Sequence, residues 1–173
     1  PDLGLAGVKV VNVHPHNPAR GLPTVMALTT MIDAETGIPT AIVNATELTA
    51  MRTGAAGAVA AKYLAPRQSV TLGIVGTGRQ AAALVEATAA VLAIEEIRVW
   101  SRTEKNAKAF AARFPDYDTR SVSIERACDC DVLNTTTPSR EPLVMADWIR
   151  EGTHINAIGA DAPGKHELDD TNW

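Results

Sequence analysis

A glycine loop restricts this chain more than any other feature. Gly76-Thr77-Gly78-Arg79-Gln80-Ala81 has the form G-x-G-x-x-A and lies between two unlike segments. Residues 70–75 before it form a short uncharged apolar run, as in a strand buried on both faces. Residues 79–92 after it carry a helical pattern. In such a setting the first glycine permits a tight turn and the second lets the backbone approach a pyrophosphate. The third position must be small so that helix and strand can pack. The helix N-terminus then offers free N–H groups and partial positive charge to phosphates. An isolated motif of this kind is weak, and its plain alternative is an ordinary glycine turn. The strand before it and the helix after it favour a dinucleotide site.

The alternation continues downstream. Residues 96–100 read as a strand, 103–114 as a helix, 131–136 as a strand, 146–150 as a brief helix and 153–158 as a last strand. The stretch 121–128 has no clear pattern. Alternating units of this length imply a parallel, doubly wound, Rossmann-type sheet. Upstream the pattern differs. Residues 8–13, 24–32 and 38–43 read as strands, with His14-Pro15-His16-Asn17-Pro18 breaking the first from the second. Asp33-Ala34-Glu35-Thr36-Gly37 reads as a hairpin turn between the second and third, so an antiparallel sheet is expected. A helix over residues 45–64 follows. Asn44 and Glu47 have capping-box spacing, Pro66 marks the stop, and Gly54 and Gly57 allow close packing. The fold class is therefore α/β: a Rossmann-type parallel sheet plus part of an antiparallel α+β lobe. The expected division is a substrate or dimerisation lobe over 1–45, a linking helix over 46–65 and a dinucleotide-binding domain over 66–173, incomplete at its C-terminal end. No internal repeat or low-complexity tract occurs.

Composition narrows the function. Sixteen Lys and Arg against 20 Asp and Glu give a formal net charge of −4, which argues against non-specific nucleic-acid binding. No apolar run approaches the ~18 residues of a membrane helix, and no signal peptide opens the chain. Cys128 and Cys130 are too few for a disulfide scaffold and too close to bridge each other, so a reducing, cytoplasmic setting is expected. His14, His16, His154 and His166 lack metal-ligand spacing, and Cys128 and Cys130 read as packed thiols rather than zinc ligands. No metal is assigned.

Ligands of open α/β sheets bind beyond the carboxyl ends of the strands. The second strand of the parallel region ends in Trp100-Ser101-Arg102-Thr103. NAD-preferring sites place a carboxylate there, whereas an arginine accommodates a 2′-phosphate, so Arg102 favours NADP(H) with NAD(H) the alternative. Arg102 also reads as a solvated helix-start residue. Thr135-Thr136-Thr137-Pro138 and the segment from Ile158 and Gly159 through Asp161 to Lys165 occupy two further strand ends. Asp161 is either a turn-stabilising residue or a catalytic acid/base. The threonines read equally as β-formers. By strand alternation Lys9 shares a face with Val11 and Val13, as an edge-strand gatekeeper or a group aimed into a pocket. Arg52 is the only charged side chain between Glu47 and Lys62, and by itself reads as snorkelling. Two cations facing a nucleotide crevice would suit a substrate carboxylate.

Four ordered segments resemble the ornithine cyclodeaminase/μ-crystallin family. They are Val10-Val11-Asn12-Val13-His14-Pro15-x-Asn17, Gly21-Leu22-Pro23-Thr24-Val25-Met26-Ala27, Thr49-Ala50-Met51-Arg52-Thr53-Gly54-Ala55-Ala56, and Gly159-Ala160-Asp161-Ala162-Pro163-Gly164-Lys165-x-Glu167-Leu168. Their wording is most similar to the alanine dehydrogenase branch. Trp100-Ser101-Arg102-Thr103 is more similar to the NADPH-using ketimine reductases, and the other branches carry an acidic residue there. The resemblance implies a homodimer built through the first lobe, with the active site between the lobes. It implies that Lys9 and Arg52 hold the substrate carboxylate, that Asp161 is the catalytic acid/base with Lys165 beside it, and that Lys9 belongs to the catalytic set. Thr24, Arg79, Gln80, Ser101, Arg102, Thr135, Thr136 and Thr137 correspond to cofactor contacts, joined by Gly76, Gly78, Thr103, Ile158, Gly159 and Lys165 at the crevice. Family chains start before Pro1 and continue past Trp173, so a middle fragment is expected. The implied activity is an NAD(P)-dependent oxidoreductase interconverting a small L-amino acid and its imine or 2-keto acid. The alternative is an ornithine cyclodeaminase, a lyase that forms proline with catalytic NAD. A nucleotide-binding protein without turnover is a third reading, against which Lys9, Arg52 and Asp161 together argue.

Overall fold

The computed structural model describes residues 4–170. The chain divides into two compact units, residues 1–50 and 51–173. The first holds three antiparallel strands in the order β1 (Leu5–Val13), β2 (Val25–Asp33), β3 (Pro39–Asn44). Between β1 and β2 the proline-rich break becomes a 3-10 turn at Asn17–Arg20, ended by Gly21 at φ +70°. The hairpin between β2 and β3 is built by Asp33. Its Oδ1 accepts from the Glu35 N–H at 3.1 Å, the Thr36 N–H at 2.7 Å and the Thr36 hydroxyl at 2.7 Å. Those bonds hold the Asp33 carboxyl below its ordinary range.

Helix α1 (Thr46–Leu64) follows. Asn44 Oδ1 accepts from the Thr46 N–H at 3.0 Å, so the asparagine read as a cap does satisfy an opening amide. The two glycines read as packing positions are contact points. A Cβ on Gly57 would lie 2.5 Å from Leu84 Cδ2, and one on Gly54 would press into the Ala83 carbonyl.

The second unit holds β4 (Ser69–Val75), α2 (Arg79–Ala89), β5 (Ala93–Trp100), α3 (Glu104–Ala111), β6 (Asp118–Ser121), α4 (Ile124–Cys128), β7 (Val132–Thr135) and β8 (His154–Ala157). All five strands are parallel, in the order β6-β5-β4-β7-β8. The chain leaves β4 toward one edge through β5 and β6, then returns to its other side for β7 and β8. That reversal opens a crevice at the carboxyl end of β4. Strand alternation sends Val70, Leu72 and Ile74 into one core with Val85, Val99 and Phe110, and Val75 into another with Leu133, Cys130 and Val144. Both cysteines are free and buried, and burial pushes each thiol up to about 12. They are packed, protonated groups.

Several elements differ from expectation. The helix expected over 79–92 ends at Ala89, because the Thr88 carbonyl accepts from both Val91 and Leu92 and tightens the exit. The helix expected over 103–114 is α3, with Thr103 at its N-cap and single turns continuing to Phe114. The brief helix at 146–150 is a 3-10 turn, Ala146–Trp148. The patternless stretch 121–128 begins on the last residue of β6 and contains α4, and the rest of β6 lies just before it. No helix among the described residues is long and apolar enough to cross a membrane.

Candidate functional site

The glycine loop lies where the sheet topology opens. Gly76 has φ +108°, a conformation that a Cβ would strain, and its N–H donates to the Trp100 carbonyl at 2.9 Å. A Cβ there would also stand 2.6 Å from Thr136 Oγ1. Gly76 is thus required both by its turn and by Thr136, just past the end of β7. Gly78 differs. It is the N-cap of α2 with extended backbone, and a Cβ on it would meet nothing within 4 Å. Nothing in its own unit calls for a glycine, so the bare backbone there leaves room for a ligand. Ala81, the small third position, is fully buried. The first-turn amides of α2 have no carbonyl one turn earlier to bond, which equips this end for an anion.

Around the loop is a cleft of about 700 Å³, a size suited to a small-molecule ligand. Of the expected site residues, Gly76, Gly78, Ser101, Arg102, Thr103, Thr136 and Thr137 line it. Thr77 Oγ1 donates to Ser101 Oγ at 3.4 Å, linking the glycine loop to the end of β5. The wall also includes Asn106, Ser139, Arg140 and Leu143, which sequence reasoning missed. Among the described residues two arginines and no carboxylate line the cleft, so its electrostatics favour a polyanion.

Arg79 and Gln80 open α2. Gln80 Oε1 is buried without a hydrogen-bond partner among the described residues, an acceptor left unused beside the loop. Thr135 is buried, so its hydroxyl does not face the cleft. Ile158 and Gly159 continue β8, their N–H groups donating to the Thr135 carbonyl at 2.9 and 3.1 Å. Asp161 lies on the following loop, 63% exposed at its side chain and ion-paired with Lys165. The His166 N–H donates to the Ser139 carbonyl at 2.8 Å, which ties this loop to the cleft wall.

Lys9 and Thr24 belong to the first unit. The Lys9 ammonium donates to Thr49 Oγ1 at 3.4 Å, at the start of α1, and the Thr24 carbonyl accepts from the His14 N–H at 2.7 Å. Arg52 is exposed on α1.

The most connected side chain at the strand ends is Glu167, which had appeared only as one letter of a family segment. It is buried, with 1% of its surface exposed. Oε1 accepts from the Thr137 N–H at 2.6 Å and the Thr137 hydroxyl at 2.7 Å. Oε2 accepts from the Thr135 hydroxyl and the Gly159 N–H, both at 2.8 Å. Its partners lie 8 to 32 residues earlier in the chain, and no local pattern announces them. Arg140 was more accessible to sequence reasoning, since it lies two residues past the Thr-Thr-Thr-Pro segment already assigned to the crevice.

Comparison with known proteins accords with this geometry. The chain is 53% identical to an alanine dehydrogenase of Archaeoglobus fulgidus over 172 residues, covering 96% of this chain and 52% of that protein. Its structure superimposes with a TM-score of 0.92 on an archaeal alanine dehydrogenase dimer with bound NAD, at 52% identity, covering 96% of this chain and 53% of the other. It superimposes with a TM-score of 0.90 on the Δ1-pyrroline-2-carboxylate reductase of Thermococcus litoralis, solved with NADH and L-proline. There the identity is 43%, and the match covers 94% of this chain and 52% of the other. The chain thus spans about half the length of the relatives it matches. The ornithine cyclodeaminase/μ-crystallin family model matches residues 2–172, and the chain belongs to that family.

Proposed function

We propose that the protein carrying this chain is an NAD(P)-dependent oxidoreductase that interconverts a small L-amino acid and its imine or 2-keto acid. The observation that carries the reading is the glycine-loop cleft walled by Arg102 and Arg140, with no carboxylate among its described lining residues, tied through Ser139 and His166 to the loop bearing Asp161. The residues fit a dinucleotide. Gly78 leaves its backbone uncovered, α2 presents its N-terminus, and Gln80 Oε1 has an unused acceptor site. The missing carboxylate and the arginine after β5 favour NADP(H) over NAD(H).

Bound nicotinamide supplies or accepts the hydride at the substrate Cα. The chain's own groups do the rest. Lys9 and Arg52 hold the substrate carboxylate, which fixes the Cα in register. Asp161 takes a proton from the substrate ammonium, freeing the nitrogen lone pair, and returns it in the reverse direction. The Lys165 ammonium beside Asp161 compensates its negative charge.

The division into a dimerising lobe over 1–45, a linking helix over 46–65 and a dinucleotide domain over 66–173 is part of the proposal. So is a homodimer. Val8 and Val10 on β1 and Ile42 on β3 share one face of the sheet and are exposed apolar side chains suited to cover by a second copy. The two free, buried thiols accord with a reducing, cytoplasmic setting.

The test follows reduced-cofactor absorbance with the full-length protein, given pyruvate plus ammonia, a cyclic ketimine, or ornithine. Oxidation of reduced cofactor with either of the first two is expected. Asp161→Asn should lower kcat by about 10²-fold or more while leaving cofactor affinity unchanged. Ornithine consumed with release of ammonia and no net change in reduced cofactor would overturn the reading in favour of a lyase.

A further inference from the structure

We propose that Glu167 is a positioning residue, whose buried carboxylate sets the hydrogen-bond polarity of Thr137 in the cleft wall and closes the loop that carries Asp161. This rests on the reading of that cleft and of Asp161 given above.

All four groups that face the Glu167 carboxylate act as donors. Two of them, the Thr137 and Gly159 N–H groups, have no other capacity. None of the ion pairs among the described residues includes Glu167, and its hydrogen-bond partners are amide and hydroxyl groups rather than a cation. A hydroxyl has one proton and two lone pairs. The Thr137 proton is committed to Glu167 at 2.7 Å, and one lone pair accepts from the Ser139 N–H at 3.3 Å. What remains for a ligand in the cleft is a lone pair. Thr137 therefore presents an acceptor, matched to a hydroxyl or amide N–H donor on the bound nucleotide.

The same carboxylate has a mechanical role. Its bond to the Gly159 N–H joins the two ends of the loop over residues 159–167, with Asp161 between them. The Leu143 and Val144 N–H groups donate to the Glu167 carbonyl at 2.9 and 3.0 Å, so the residue is anchored by its backbone as well. Gly159 is a glycine for this reason. A Cβ there would stand 2.5 Å from Glu167 Oε2 and press on the Thr137 carbonyl. The ladder between β7 and β8 is complete below this point, from Val132 opposite His154 to Thr135 opposite Ala157. Glu167 thus organises the crevice end of the sheet rather than its core.

The experiment measures cofactor affinity, KM and kcat in the full-length protein for Glu167→Gln, Thr137→Val and the double variant. Gln keeps the shape but turns one acceptor into a donor facing donors. Glu167→Gln is expected to weaken the cofactor about tenfold and to lower kcat by up to about 10²-fold through displacement of the Asp161 loop. In the Thr137→Val background its effect on cofactor affinity should largely vanish while the kcat loss persists, because only the first acts through the hydroxyl. Wild-type affinity and kcat in Glu167→Gln, or affinity losses that simply add, would overturn the proposal. If Glu167→Gln does not fold, Glu167→Asp, which keeps both acceptor oxygens one methylene short, is held to the same comparison. Asp161→Asn serves as the control. Full turnover in Asp161→Asn sinks the functional reading, while the binding cycle still judges Glu167 separately.

Discussion

Asp131 shows how much of the second unit depends on single carboxylates that join distant parts of the chain. It is buried just before β7, accepts from the Thr71 N–H at 2.7 Å, is chelated by Arg67 at 2.7 and 2.9 Å, and is reached by Arg150 at 3.4 Å. Burial works to raise its pKa. The hydrogen bonds from Arg67 and Thr71 and the charges of Arg67 and Arg150 outweigh it, so the carboxyl sits below its ordinary value of 3.8. A depressed folded-state pKa means stability that is fully present above the unfolded value and is lost as pH falls through the lower folded value. Asp131→Asn should therefore cost about 2 kcal/mol at neutral pH and flatten the acid limb of the stability curve below about pH 4. Urea unfolding of the full-length protein at several pH values checks this, and an unchanged acid limb would contradict it. Residues of this kind were the least legible in the sequence. Asp131 read only as the first residue of a strand, and Glu167 only as a letter in a segment, because most of their partners are 30 or more positions away. Gly76 and Arg102 were legible because their reasons are local: a turn that needs positive φ, and a fixed place after a strand.

Among the elements, those with a continuous apolar or small-residue run were readable from the local sequence alone. The apolar runs of β2, β4 and β7 and the small-residue helix α1 came out within a residue or two of their expected bounds. β6 did not, since Asp118-Thr119-Arg120-Ser121 carries no apolar residue and is a strand only through its pairing with β5. α4 has five residues, too few for a helical period, and its signal is the Ser123 side chain accepting from the Arg126 N–H. The glycines of α1 were legible as small, but their partner on α2 was not. Alanine on an exposed helix would gain about 1 kcal/mol over glycine. At Gly54 a Cβ would instead lie 2.7 Å from the backbone carbon of Ala83, where no flexible side chain can give way. Gly54→Ala should therefore destabilise by about 1–3 kcal/mol, read as a fall in thermal midpoint. A rise in the midpoint would show that the helix packs more loosely than described.

For the whole molecule, the parallel sheet order β6-β5-β4-β7-β8 matters most, because it opens the crevice where the glycine loop, the Arg102 turn and the threonine segment meet. The parallel, doubly wound class followed from the alternation of strands and helices together with one motif, whereas the strand order, a long-range property, came only from the structure. The chemistry of the cleft wall was only half visible, as Arg102 was foreseen and Arg140 was not. In the proposed function this wall holds a dinucleotide with its arginines toward the ribose phosphate. The most direct measurement is the dissociation constant of NADPH and of NADH for the full-length protein, wild type and Arg102→Ala. Tighter binding of NADPH is expected, with a loss of about 10- to 100-fold for NADPH on substitution, as for a charge-assisted phosphate contact, and NADH little changed. Equal losses for the two nucleotides, or tighter binding of NADH by the wild type, would contradict it.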